Sequence, residues 1–342
     1  MKLLGNLDCE ARWAGARLPE AVQRRISLYA ALYAACAPEE ADGEPVEIWV
    51  PAPVDRARLV AHPGWTPPIL HTSEPPSVVG LRWADPAAKD ANDRSRTLAI
   101  AQALGVALPG ARVVGSLAEL DAHLAGFAGD TVRPWICKAR WTAAGRDRAH
   151  GAGRTLGGEL RTRIGRMFER FGPLVFEPWL DRVADYGVCG EIADGGAITI
   201  AEPHRLITDP RGGFLGIELA PAIDRAIALP LHATARAAAT RLFVETGYRG
   251  PFAIDAFVYR DGGVHHLHPL CELNARYSFG WIARGLARRL GIRRLGFDPP
   301  PPSATVLIAP GDDRDNHFDA VERLGQQQSP LHQAVMRQIS GA

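Results

Sequence analysis

Between Gly250 and Gly280 the chain reads GPFAIDAFVYRDGGVHHLHPLCELNARYSFG, and three oxygen-bearing side chains in it are spaced to share one surface. Phe252, Ile254, Ala256 and Val258 alternate with Ala253, Asp255, Phe257 and Tyr259, a period of two. Asp261-Gly262-Gly263 supplies a tight turn, because these residues tolerate the positive φ of short hairpin loops. The returning strand, Val264 to Leu273, ends in Glu272-Leu273-Asn274-Ala275-Arg276. Glu272 and Asn274 are two apart and point to one face, and Asp255 on the paired strand joins them. Two carboxylates and an amide oxygen together suit a hard cation such as Mg²⁺, which completes its shell with water and phosphate oxygens. The plain alternative is an exposed polar sheet face.

The elements that must position this hairpin can be read in order. Lys2–Leu7 is a short strand candidate, Pro19–Ala37 a helix, and Val46–Val50 a second strand. Strand, helix, strand at this spacing predicts a small α/β unit with a parallel sheet. It has no GxGxxG, and its Trp65 and Trp83 read as core. Asp93 caps a helix running from Arg94 to about Leu104, and another spans Leu117 to Phe127. Trp135–Ala139 is an apolar strand carrying Lys138; a lysine there needs a partner, and phosphate is a sensible one. Thr142–Gly153 reads as a small-residue loop able to approach phosphates. An amphipathic helix over Arg161–Phe171 follows, then Leu174–Leu180 (LVFEPWL) and Asp185-Tyr186-Gly187-Val188. Strands are predicted over Ala197–Ala201 and Phe214–Leu219, with Glu202 to Gly213 as the loop between them. Helices are predicted over Pro230–Gly247 and Tyr277–Leu290. Beyond the proline run Pro299–Pro302, Ala304–Ala309 reads as a strand, and the tail from Asn316 has a weak helical pattern.

Asp255, followed on the next strand by Glu-x-Asn-x-Arg, resembles the metal-binding core of the ATP-grasp superfamily, and the likeness extends over about Ala91 to Leu290. It implies an ATP-grasp fold of α/β (α+β) class, preceded by a small Rossmann-like α/β domain. The implied domains are residues 1–90, the ATP-grasp domain 91–296 and a C-terminal extension 297–342. It also implies roles. Asp255, Glu272 and Asn274 would hold Mg²⁺, with Mn²⁺ as a substitute. Lys138 would reach the α- and β-phosphates, and Arg94 would be a further cation near them. Glu177 and Leu180 would flank the main-chain groups that read adenine, and Asp185 would hold the ribose. Arg276, just past the metal ligands, would be the catalytic cation steadying the transferring phosphoryl or an acyl-phosphate, since a planar multi-donor group suits both. The loop departs from the family, with Gly145-Arg146-Asp147-Arg148 in place of the usual Gly-x-Gly. No individual contacts are assigned there.

Bulk properties fit this reading and exclude others. A chain of 342 residues can bury a large core. Lys+Arg 39 against Asp+Glu 38 gives a net charge of +1, so no global field argues for nucleic acid or an anionic membrane. The five cysteines are scattered, form no CxxC pair, and point to free thiols in a reducing, cytoplasmic compartment. No signal peptide is read, and no apolar run approaches the roughly 20 residues of a membrane helix. His265, His266 and His268 lack the closed tetrahedral set that zinc wants. No GxSxG elbow or Walker loop occurs. On strand parity Cys271 points away from the oxygen cluster.

The implied activity is an ADP-forming, ATP-dependent carboxylate–amine ligase. It would activate a substrate carboxylate as an acyl-phosphate for attack by an amine or other nucleophile. Its partners are small molecules, and a homo-oligomer is left open. The alternatives are a kinase-like phosphotransferase of the same fold and a non-catalytic ATP-binding regulatory protein.

Overall fold

The computed structural model describes residues 2–4, 7–15, 17–37, 45–73, 86–127, 133–141, 147–209, 212–296, 305–309 and 320–322. Trp83, the loop core 142–146, the run Pro299–Pro302 and most of the tail from Asn316 lie outside them. Strand β1 (Lys2–Leu4), helix α1 (Cys9–Trp13) and helix α2 (Glu20–Ala30) come first. The helix expected to reach Ala37 tightens at Ala31 into a 3-10 stretch, Ala31–Cys36. Ala31 to Ala35 are all buried, so packing rather than propensity sets its geometry. With β2 (Glu47–Trp49) and β3 (Ile69–His71), β1 forms a parallel three-stranded sheet; the parallel pairing of the first two strands is as expected, and β3 adds to it.

Helices α3 (Pro86–Ala91) and α4 (Arg94–Ala103) lead to a second sheet. Asp93 caps α4 as expected, its side chain accepting from the Ser95 N–H at 2.8 Å. Strand β4 (Arg112–Val114), helix α5 (Leu117–Gly126), strands β5 (Pro134–Ala139) and β6 (Arg148–Ala152), helix α6 (Gly158–Phe171) and strand β7 (Leu174–Pro178) follow. The four strands are antiparallel in the order β4-β7-β5-β6, with α5 and α6 packed on them around Trp135, Ile164 and Phe176. The segment read as a loop over Thr142–Gly153 therefore holds strand β6 at Arg148–Ala152. Gly151 lies flat under Trp135, where an added Cβ would come within 2.1 Å of the indole, and this close packing draws the small residues into the sheet.

The large sheet uses β8 (Asp181–Ile192), β9 (Ile198–Ile200), β10 (His204–Thr208) and β11 (Phe214–Glu218). After helix α7 (Arg225–Thr246) come β12 (Gly250–Asp261), β13 (Val264–Asn274), helix α8 (Phe279–Leu290), β14 (Arg294–Gly296) and β15 (Ala320–Glu322). The order is β13-β12-β8-β10-β11-β14-β15, with β9 against β8. Three readings are corrected. The segment between the two predicted strands is itself strand β10. Helix α7 begins five residues before Pro230, because Asp224 caps it through the Ala226 N–H at 2.8 Å. Part of the tail read as helical is β15.

Ile254, Ala256, Val258 and Leu273 bury one face of the β12–β13 hairpin against α7. Its other face looks toward the second sheet, where Leu98, Leu108, Val175 and Phe257 form a small core between the two sheets. A separate core joins the first sheet to α8 and to Leu307 and Ile308. There Gly285 allows close approach: a Cβ on it would lie 2.1 Å from the Ala35 carbonyl oxygen. The strand expected over Ala304–Ala309 is reduced to a bridge, Ile308 opposite Leu59. Among the described residues no helix is long and apolar enough to cross a membrane.

Candidate functional site

The antiparallel register fixes which side chains meet. Asp255 on β12 lies directly opposite Glu272 on β13 and, on its other side, opposite Gly187 on β8. Gly187 in turn pairs with His204 on β10. One row across four strands thus reads Glu272, Asp255, Gly187, His204, with Glu272 and Asp255 on the face turned toward the second sheet. The next row places Asn274 opposite Ala253 and Ala253 opposite Cys189. The expected grouping of Asp255, Glu272 and Asn274 on one face is what the register shows.

The row continues toward the turn with a shift. Phe257 pairs with His268, so two steps along β12 match four along β13. Pro269, Leu270 and Cys271 thus stand opposite Ala256 alone, two residues more than a regular ladder needs, and form a bulge. It reverses the expectation for Cys271, whose Sγ accepts from Arg182 Nη2 at 3.2 Å on the same side as the carboxylates. Strand parity assumed an unbroken ladder, and proline, which has no N–H for one, sits where it breaks. His268, opposite Phe257, stays on the carboxylate side. It is buried edge-on to Phe257, with Nδ1 3.1 Å from the Val106 carbonyl oxygen, and burial depresses it to about 4.

Cations surround the carboxylates. Arg94, in the first turn of α4, donates from Nη2 to Glu272 Oε1 at 2.9 Å and from Nη1 to the Ala139 carbonyl at 2.9 Å. Lys138 of β5 pairs with Glu177 of β7, Nζ to Oε2 at 2.5 Å. The lysine's in-chain partner is thus the acid expected to flank adenine. Burial alone would lower Lys138, and Glu177, Cys271 and Glu272 together outweigh it and raise the ammonium. Arg276 donates from Nη2 to Asn274 Oδ1 at 3.2 Å and also to Glu10 of α1. Asp185 is buried beside Phe257, accepts from the Thr208 hydroxyl at 2.8 Å, and pairs with Arg182 at 3.3 Å. Any ribose contact from Asp185 has to share these partners. Leu180 lies half-buried in the link between β7 and β8, against the core between the sheets. A cleft there is lined by Arg94, Leu98, Ala107, Glu177, His268 and Cys271.

The two facing carboxylates behave oppositely. Burial and then the like charge of Glu272 push Asp255 up to about 7. Burial would raise Glu272 too, but Arg94, Lys138 and Arg276 outweigh it and lower its pKa. No side-chain hydrogen bond to Asp255 occurs among the described residues. A half-buried carboxylate that faces another, with no side-chain donor among the described residues, is a group a cation would stabilise. No group of three or more His, Cys, Asp or Glu side chains that could hold a metal occurs among the described residues. The set here is two carboxylates and an amide, which fits Mg²⁺, an ion bound through one or two carboxylates plus substrate phosphates.

Sequence reasoning missed Glu10, Arg182, His204 and Thr208. The contacts that tie Glu10 to Arg276 and Arg182 to Cys271 are tertiary, and no local pattern signals them. The position of His204 was hidden by reading β10 as loop. A Cβ on Gly187 would come within 2.4 Å of its Nε2, so the glycine makes room for the ring to lie over the strand.

No protein-family model matches the chain, and no curated protein sequence matches it. Solved structures do. The N5-carboxyaminoimidazole ribonucleotide synthetase of Thermus thermophilus matches with a TM-score of 0.53 at 15% identity, over 99% of this chain and 97% of that one. The N5-carboxyaminoimidazole synthetase of Staphylococcus aureus, complexed with ADP, gives 0.48 at 12% identity, over 81% and 70%. A biotin carboxylase–βγ-ATP complex from Campylobacter jejuni gives 0.44 at 18% identity, and there the chain covers only 42% of its neighbour's length. The fold assignment rests on the Thermus match: the chain has the ATP-grasp fold that its hairpin motif implied.

Proposed function

We propose that this protein is an ATP- and Mg²⁺-dependent ligase that activates a small-molecule carboxylate as an acyl-phosphate, with ADP leaving. Attack by an amine or other nucleophile then releases phosphate. The observation that carries the reading is the Asp255–Glu272 pair, with no side-chain donor to Asp255 among the described residues, ringed by Arg94 of α4, Lys138 of β5 and Arg276 just past β13. Asp255, Glu272 and Asn274 would hold the metal, with Mn²⁺ able to replace it. Bound there, Mg²⁺ would supply positive charge against the phosphate oxygens.

The chain's own residues do the rest by position and charge. Lys138 and Arg94 hold the phosphates at the junction of the two sheets. Glu177, Leu180 and the link they flank receive the base, and Asp185 orients the sugar. Arg276 is the catalytic cation, whose fork suits a planar transferring phosphoryl or an acyl-phosphate. Residues 1–90 form the preceding α/β domain, 91–296 the ATP-grasp domain, and 297–342 a C-terminal extension. The proposed setting is the cytoplasm.

The test is nucleotide product analysis with panels of carboxylic acids and amines. ADP released only when an acid and Mg²⁺ are present supports the ligase. AMP as product, or an Mg·ADP affinity unaffected by Asp255→Asn, overturns it.

A further inference from the structure

Glu10 is the second residue of α1, near the start of the chain, yet its carboxylate is buried at the edge of the metal-candidate face. Both its oxygens are engaged. Oε1 accepts from Arg276 Nη2, and Oε2 accepts from the Cys9 thiol at 3.2 Å. The same Nη2 of Arg276 donates to Asn274 Oδ1 at 3.2 Å, while Nη1 reaches the Tyr277 carbonyl at 3.4 Å. The Arg276 side chain is only 12% exposed and that of Glu10 only 7%. A single guanidinium nitrogen therefore sits between an outer carboxylate and an amide oxygen of the inner face.

That arrangement creates an electrostatic difficulty for a cation. Asp255 and Glu272 supply two negative charges to the face, and Arg94 and Arg276 supply two positive ones in direct contact with Glu272 and Asn274. The Lys138–Glu177 and Arg182–Asp185 pairs each carry no net charge. Without a further carboxylate the face would offer a divalent ion no net attraction, with one guanidinium bonded to an oxygen the ion needs. Glu10 is the carboxylate that restores the balance.

We propose that Glu10 is a positioning residue and counter-charge for Arg276, and that it permits a divalent cation and the guanidinium to share Asn274. The inference rests on the metal reading given above. Through Glu10, α1 becomes part of the machinery: it holds Arg276 in place and sets how strongly the face binds a cation. A purely structural brace would dock α1 on the sheet and leave cation affinity alone.

Charge-balanced variants separate these roles, with Mn²⁺ as the probe, followed by electron paramagnetic resonance in the presence of ADP. Glu10→Gln keeps the shape and removes the charge, and should weaken Mn²⁺ about tenfold, as one nearby unit charge does in a half-screened site. Arg276→Gln should tighten Mn²⁺. The double variant, neutral at both positions, should return to within about threefold of wild type. Metal-free ADP affinity should stay within about twofold throughout. Unchanged Mn²⁺ affinity in a folded Glu10→Gln protein overturns the proposal, as does a double variant weaker than Glu10→Gln alone. If Glu10→Gln fails to fold, Arg276→Gln decides alone: tighter Mn²⁺ supports the counter-charge role, and equal or weaker binding overturns it. Wild-type protein whose Mn²⁺ affinity is indifferent to Asp255→Asn overturns the metal reading itself, and this inference with it.

Discussion

Arg94 and Glu272 lie 178 residues apart in the chain and meet in an ion pair of 2.9 Å. The contact joins the first turn of α4 to β13, and the second hydrogen bond of Arg94, to Ala139, ties in β5 of the other sheet. One guanidinium therefore pins together the two sheets between which the nucleotide is proposed to bind. The carboxylate it holds is one of the two that face each other across the hairpin. Fold stability and site chemistry are coupled through this pair.

Replacing Arg94 tests that coupling. Arg94→Ala leaves the Glu272 charge with one fewer partner and unfastens both sheets, at a cost of about 2–4 kcal/mol. Thermal unfolding should show a loss of several degrees, together with weaker Mg·ATP binding by calorimetry. Arg94→Lys should recover part of the stability only, because an ammonium cannot reproduce the planar fork that spans two acceptors. A wild-type melting temperature in Arg94→Ala would mean that the pair contributes nothing.

Asp255 and Glu272 should each be needed for turnover. Asp255→Asn and Glu272→Gln are expected to lower the rate by about a hundredfold or more, the loss typical of removing one electrostatic group aimed at developing charge. The two differ in stability. The folded pKa of Asp255 is raised, by burial and by Glu272, to about 7 from 3.8. Its contribution to stability is therefore present below the unfolded value and lost as pH rises through about 7. Without metal, Asp255→Asn should match or exceed wild type in melting temperature at pH 8 and lose that advantage at pH 5. Equal pH profiles for the two proteins would show that the carboxylates do not oppose one another.

The hairpin and the α4 cap were legible because their signals are local. Alternation by two, the Asp261-Gly262-Gly263 turn and Asp93 before Ser95 each act within a few residues. What escaped was set by distant contacts. Strand β10 is flanked by Pro203 and Pro210 and owes its form to pairing with β8 and β11 on either side. The Pro269–Cys271 bulge turns Cys271 toward Arg182, where parity had sent it the other way. Glu10 meets a residue 266 positions later, and no pattern around Glu10 foretells that.

Lys138 and Arg276 should fail differently. Lys138 is anchored by Glu177 in the ground state and should hold ATP equally before and during transfer. Lys138→Ala should raise the KM for ATP with a smaller effect on kcat, as loss of uniform binding does. Arg276→Ala should lower kcat by about a hundredfold while ATP still binds. Steady-state kinetics with nucleotide calorimetry checks both. Collapse of ATP binding in the Arg276 variant, with binding intact in the Lys138 variant, would reverse the assignments.

His204 gives a pH dependence of opposite sign to that of Asp255. Its ring is 2% exposed, lies over Gly187, and touches the start of α8, where a Cβ on Gly280 would come within 2.9 Å of Nε2. Nδ1 has no hydrogen-bond partner among the described residues. Burial, with a smaller push from Arg284, depresses its pKa from 6.5 to about 3. A group depressed in the folded state contributes stability above its unfolded value and loses it as pH falls toward the folded one. Between pH 6.5 and 4 the unfolded chain binds a proton at this position that the folded chain refuses. The loss by pH 4 is at most roughly 3 kcal/mol, at 1.36 kcal/mol per unit. His204→Gln removes the titration while keeping a polar side chain of similar reach. The variant should start less stable at pH 7.5, since its amide also lacks partners in that slot. Its stability should then decline less steeply than wild type between pH 6.5 and 4 in urea titrations. His268 titrates in both proteins, so the difference between the two slopes isolates His204. Parallel slopes would mean that the imidazole gains access to water, or a partner, as the pH falls.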